Sequence, residues 1–291
     1  MKLGIIGGSG LYEMDQIENP AWMEVPTPFG RPSDSFLQDV LSGNEVYFLP
    51  RHGRGHTLLP SEINHKANIY GFKTLGVEGI ISVTAVGSLR EELKPGDMCL
   101  PTQYYDRTKQ SAEHTFFGNG LVAHISFGNP VCPLLHETLY TAASKTLTSM
   151  GNTNHVHREG TYVNMEGPAF STKSESNTYR EQGFDIIGMT SLPEAKLSRE
   201  AEICYAPLAL VTDYDCWHEN ADTVSAEMVA ENIEKNLKQA KNVLKNIIER
   251  LSKARTCSCA HALNNAIMTK HDMIPSHVKE NLAPIIGPYL R

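Results

Sequence analysis

Apolar positions along this chain fall into two alternating patterns. Short unbroken runs at residues 2–6, 45–49, 79–83, 160–165, 185–189 and 206–212 have the length and composition of buried strands. Between them, residues 62–75, 133–149, 172–182, 193–203 and 225–251 carry apolar side chains at three- and four-residue spacings and predict helices. Ser171 or Thr172 can cap the third of these, and Glu175 completes a capping box for Thr172. Pro193 sits where a first-turn proline is tolerated. In the last long helix Val229, Ile233, Leu237, Val243, Leu244, Ile247, Ile248 and Leu251 form one broad stripe. Strand and helix alternate, which predicts an α/β fold: a single domain with a central mixed, partly parallel sheet flanked by helices. Residues 1–252 read as that body. Residues 253–291 change character, with a Cys-Ser-Cys, a short helical pattern and a proline- and glycine-containing loop. They read as a C-terminal extension packed on the body or on a neighbouring subunit.

Composition narrows the class. The 291 residues are 41% hydrophobic and 20% charged, an ordinary globular balance, and the chain can bury a core without staples. A formal charge of −7 argues against nucleic acid as a partner. No apolar run reaches the roughly 20 residues that cross a bilayer, and the apolar start is too short for a signal peptide. A cytoplasmic location is expected.

In α/β sheets ligands gather beyond the carboxyl ends of the strands, so the segments following each strand are the candidates for chemistry. After the first comes Gly7-Gly8-Ser9-Gly10, which offers backbone N–H groups and a hydroxyl to an anion, or simply a tight turn. After the second comes Arg51-His52-Gly53-Arg54-Gly55-His56. Arg51 can grip phosphate through two parallel hydrogen bonds and His52 can add a donor; a solvated basic loop explains the segment equally well. The His52–His56 spacing invites a metal, but the glycines argue against a helix and no zincin glutamate follows. Thr84 to Leu89 is small and hydroxyl-rich after the third strand, as a ligand site or a close-packed turn would be. Phe170 can stack on a flat ring or serve the core. After the sixth strand Asp213 and Asp215 lie on one face if the strand continues, about 6.5–7 Å apart. Carboxylates that close raise each other's pKa, and burial adds to the effect.

Six cysteines do not make a disulfide scaffold. Cys257 and Cys259 can be a redox pair, half of a metal site with His261, or two reduced thiols. Zinc is not expected, because a structural site wants four ligands at recognisable spacings.

Taken in order, Gly7-Gly8-Ser9-Gly10-Leu11, Arg51 to Thr57, Ser88 to Glu92, Glu166-Gly167-Pro168, Met189-Thr190 and Thr212 to Trp217 resemble the methylthioadenosine-cleaving branch of the trimeric purine nucleoside phosphorylase family. The resemblance runs from Gly4 to about Val229. It implies phosphorolysis of 5′-methylthioadenosine, with Asp213 and Asp215 as the catalytic carboxylates. It implies a phosphate site of Ser9, Arg51, His52, Thr84, Ala85 and Thr190. Met189 would lie against the ribose, Phe170 on the purine and Ser171 at its polar edge. His56 and Val229 would lie near the 5′ group, with His124 contributed by a neighbouring subunit of a trimer or dimer of trimers. Phosphate is a co-substrate, and no cofactor or metal is implied. The chain departs from the family at Ala169, where relatives often carry arginine after Glu-Gly-Pro. The alternatives are phosphorolysis of 6-oxopurine nucleosides or methylthioinosine, hydrolysis without phosphate, and a non-catalytic nucleoside sensor.

Overall fold

The computed structural model describes residues 1–8, 10–14, 17–218, 226–251 and 254–290; the side chains of residues 111, 226–231 and 233–235 lie outside that description. The strands are β1 (Leu3–Gly7), β2 (Ala21–Met23), β3 (Phe36–Leu41), β4 (Asn44–Pro50), β5 (Gly79–Ser88), β6 (Met98–Cys99), β7 (Gln103–Asp106), β8 (Val156–His157), β9 (Thr161–Asn164), β10 (Ile186–Gly188) and β11 (Cys204–Tyr214). The helices are α1 (His65–Thr74), α2 (Pro133–Ser149), α3 (Lys173–Glu181), α4 (Ser191–Glu200), α5 (Ala226–Ile248), α6 (Ser276–Asn281) and α7 (Ala283–Ile286).

All eleven strands belong to one mixed sheet. Its main path runs β2-β3-β4-β1-β5-β10-β9-β7, and a branch leaves β5 through β11 and β6 to β8. The β1–β4, β1–β5 and β5–β11 pairs are parallel, whereas β10 runs antiparallel to β5. The parallel strands at the centre are buried on both sides, which is why they read as continuous apolar runs. On one face α2 and α5 supply Leu135, Leu139, Ala240, Val243, Leu244 and Ile247 to the core. On the other, Ile69, Phe72 and Leu197 from α1 and α4 pack with Leu263, Ile274, Leu282, Ile285 and Ile286 of the C-terminal segment. Among the described residues no helix is long and apolar enough to cross a membrane.

Local chemistry sets the element ends. Thr172 caps α3, accepting from the Glu175 backbone, while the Glu175 carboxylate accepts from the Thr172 N–H in the expected capping box. Asn64 accepts from the Ala67 N–H and starts α1 three residues later than periodicity suggests. The largest departure from expectation lies at β5 and β11. β5 continues five residues beyond 83, so Thr84 to Ser88 pair with β11 instead of turning away; β11 likewise reaches Tyr214, with a bulge between Val211 and Asp213. Small side chains in that part of β5 leave the ladder intact while making room above it. The β3–β4 hairpin was not expected from periodicity: Phe36–Leu41 reads as polar-interrupted, and its turn is carried by Ser42 and Gly43, both at positive φ.

Candidate active site

The carboxyl ends of β1, β4, β5, β10 and β11 converge on a cavity of about 480 Å³. Arg51, His52, His56, Thr84, Ala85, Phe170, Met189, Thr190, Asp213 and Asp215 all line it, joined by apolar side chains that include Leu11, Leu59 and Leu237. Two further expected residues lie elsewhere. Ser171 is close to Asp215 but does not line the cavity. His124 is exposed on a segment whose backbone pairs with Ala266. Ser9 and the side chain of Val229 lie outside the described residues.

Arg51 is fully buried, and most of its donors are committed within the protein. Nε donates to Glu194 Oε1 at 2.6 Å, Nη1 to the Val83 carbonyl at 2.9 Å, and Nη2 to Ser82 Oγ and Glu194 Oε2 at 2.7 and 3.3 Å. Of five N–H groups, one on Nη1 is left for a ligand. The bidentate grip suggested by sequence is therefore spent on Glu194, and Arg51 offers an anion its charge and a single donor. Burial alone would push the Glu194 carboxyl up, but Arg51 beside it holds it below the usual carboxylate value, so the pair stays ionised. Tyr205 completes the cage by donating to Glu194 Oε2 at 3.0 Å. Sequence reasoning missed Glu194, Ser82 and Tyr205. The available signal was a glutamate set among Leu192, Pro193, Ala195 and Leu197 of α4.

His52 also differs from expectation. Burial and the neighbouring Arg51 charge push its pKa down to about 4. The ring is neutral, and Nδ1 lies 2.9 Å from the Leu58 carbonyl oxygen, which can only accept. Nδ1 therefore carries the proton and Nε2 presents a lone pair. Toward the cavity His52 acts as an acceptor for a protonated phosphate oxygen unless it gains a proton. The His56 ring stacks on it at 4.3 Å between centroids. Thr190, on the same cavity, is the N-cap of α4, where the helix dipole favours an anion; the Leu192 N–H there is already donated to Asn164 Oδ1.

Asp213 and Asp215 are both buried. They flank Gly87: a Cβ built there would meet Asp213 Oδ1 at 3.1 Å and Asp215 Cβ at 3.3 Å. Thr212 donates to Asp213 Oδ2 at 2.7 Å, and the Asp215 N–H is fixed on the Ser88 carbonyl at 3.1 Å. Burial, opposed by Thr212 and reinforced by the Asp215 charge, pushes Asp213 up to about 6. Burial raises Asp215 as well. Among the described residues Asp215 Oδ2 is buried without a hydrogen-bond partner, a costly state unless a ligand supplies a donor. Phe170, one of the few large apolar side chains left 43% exposed, stands at the same cavity and offers a flat face.

Residues 2–249 match the model of the phosphorylase superfamily. The chain is 54% identical over 288 residues to S-methyl-5′-thioadenosine phosphorylase of Geobacter sulfurreducens, covering 99% of each. It is 54% identical to the Synechocystis protein of the same name, covering 99% of this chain and 87% of that one. Among solved structures it superposes on a methylthioadenosine phosphorylase from an antarctic soil metagenomic library with a TM-score of 0.92 at 46% identity, covering 98% of both chains. It also superposes on the Schistosoma mansoni methylthioadenosine phosphorylase in complex with adenine, with a TM-score of 0.83 at 32% identity over 99% and 98% of the chains. The chain belongs to the phosphorylase superfamily and, within it, to the methylthioadenosine phosphorylase family.

Proposed function

We propose that the protein cleaves the N-glycosidic bond of 5′-methylthioadenosine with phosphate, giving adenine and 5-methylthioribose 1-phosphate, a pentosyl transfer that serves purine and methionine salvage. The observation that carries the reading is the buried pair at Gly87: one carboxyl raised to about 6 and one carboxylate oxygen that lacks a donor among the described residues. A 6-aminopurine supplies what the pair needs. Its N6–H donates to Asp215 Oδ2, and its N7 accepts from protonated Asp213. A 6-oxopurine would set a carbonyl oxygen against Asp215, two acceptors with no proton between them, which a buried site rejects strongly.

The chemistry follows from charge. As the bond from C1′ to N9 breaks, its electron pair moves into the purine and positive charge builds on the ribose. A phosphate oxygen attacks C1′ and its negative charge stabilises the ribosyl cation. Asp213 gives its proton to N7 as that nitrogen gains electrons. Arg51, His52, Thr84, the Ala85 backbone, Thr190 and Ser9 are proposed to hold the phosphate, with Met189 against the ribose and Phe170 on the base. The apolar side chains of Leu11 and Leu237 beside His56 favour a methylthio group over a hydroxyl at the 5′ end, the end to which the resemblance also assigns Val229. The reaction requires no metal or organic cofactor. The assembly proposed is a homotrimer or a multiple of one, with His124 reaching a neighbour's site. Release of adenine measured with and without phosphate tests the reading.

A further inference from the structure

Four cysteines that are scattered in sequence meet at one point. Cys132 precedes α2 as its N-cap, Cys204 opens β11, and Cys257 and Cys259 follow α5 in the C-terminal segment. Their four sulfurs all lie within 4.8 Å of one another, and three of the four residues are buried. Among the described residues this is the one compact group of this kind, and His261 is not part of it. We propose that these four cysteines bind a single zinc ion as a tetrathiolate site, fastening the C-terminal segment to the body.

Geometry supports a shared central atom. Four thiolates about 2.3 Å from one zinc ion stand about 3.8 Å apart at the corners of a tetrahedron. Cys204 and Cys257 are 3.3 Å apart, a non-bonded separation well beyond the roughly 2.05 Å of a disulfide. Two separate disulfides would give each sulfur one partner; here each sulfur faces three.

The surroundings suit a cluster that would carry a net negative charge. Cys132 stands at the N-terminus of the 17-residue α2, where the helix dipole favours a thiolate. Arg255 approaches Cys204 and Cys257. Its Nη2 is tied to the Glu202 carbonyl at 2.7 Å, and among the described residues its buried Nε–H finds no acceptor in good hydrogen-bond geometry. A thiolate of the cluster would give that N–H a partner. Zinc binding here would release the thiol protons, so uptake strengthens as pH rises. The sequence concealed the site because only Cys257 and Cys259 are neighbours; the other two ligands arrive from the first residue of β11 and the N-cap of α2.

The test uses the full chain expressed with zinc in the medium and purified without added chelator or reductant. Elemental analysis is expected to find about one zinc per chain. Cobalt exchanged into the protein should give the thiolate charge-transfer and intense visible bands of a tetrahedral sulfur site. After unfolding with chelator, six free thiols are expected. The double variant Cys257→Ser, Cys259→Ser should lose the metal and unfold at lower temperature, yet keep activity within about twofold at low temperature. Metal-free protein with six free thiols would overturn the proposal, as would two free thiols with the four cysteines joined as disulfides. These readings on the native chain stand even if the variant fails to fold, and adenine release is measured separately.

Discussion

At the scale of single residues, the site's behaviour is set by protons. Asp213, raised to about 6, is protonated below that value and loses its proton above it. If it is the acid, kcat/KM for the nucleoside falls as pH rises through about 6, and Asp213→Asn removes that limb. General acid catalysis is worth roughly 10²–10⁴-fold, which sets the expected loss of rate in that variant. Asp215→Asn should instead narrow the preference for methylthioadenosine over methylthioinosine, because an amide can turn its N–H toward an oxo group. A pH profile unchanged by Asp213→Asn would contradict the assignment. The phosphate site needs gentler changes than removal of Arg51. Arg51→Ala leaves Glu194 as an uncompensated buried charge, at a cost of about 3–5 kcal/mol in stability. His52→Ala and Thr190→Val remove ligand contacts without that penalty. Each should raise the KM for phosphate much more than the KM for the nucleoside, by roughly 10- to 150-fold for a hydrogen bond to a charged group. Equal changes in both constants would remove these residues from the phosphate site. The candidate residues themselves were legible in the sequence, since Arg51, Thr84, Met189, Thr190 and the two aspartates all meet at the cavity. Their states were not. The proton on His52 depends on the Leu58 carbonyl, and the orientation of Arg51 on Glu194, 143 residues away.

At the scale of elements, the site is made by strands that run past their expected ends. Periodicity found the centres of β1, β4, β5, β9, β10 and β11 because buried parallel strands are continuously apolar. It lost the last five residues of β5, where Thr84, Ala85 and Gly87 are too small or polar to read as core, for the reason that a ligand cavity lies above them. The short strands β6 and β8 have two residues each and carry no period at all. Gly87 shows how tight the arrangement is. Gly87→Ala places a methyl 3.1 Å from Asp213 Oδ1 and 3.2 Å from Ile187, so the carboxylate must shift. We expect a loss of kcat/KM of at least about tenfold, the cost of about 1.4 kcal/mol of misplaced acid, with a circular dichroism spectrum like that of the native protein. Full activity in a folded Gly87→Ala variant would show that the position of Asp213 is not critical.

At the scale of the molecule, one sheet carries a core on each face, and the cavity opens where the carboxyl ends of its central strands meet. The C-terminal segment contributes Leu263, Ile274, Ile285 and Ile286 to one of those cores, so it packs on the body. His124, in contrast, is exposed and away from its own chain's cavity. That placement fits a contribution to a neighbour, and sedimentation is expected to give a trimer or a multiple of it. A monomer with full activity at nanomolar concentration would exclude a shared site. Purine release with phosphate present or absent measures the reaction itself. Methylthioadenosine is expected to give adenine and 5-methylthioribose 1-phosphate in equal amounts and no adenine without phosphate, and methylthioinosine to show at least a hundredfold lower kcat/KM, corresponding to about 2.7 kcal/mol of discrimination. Adenine formed at the same rate without phosphate, or methylthioinosine cleaved as fast as methylthioadenosine, would contradict it.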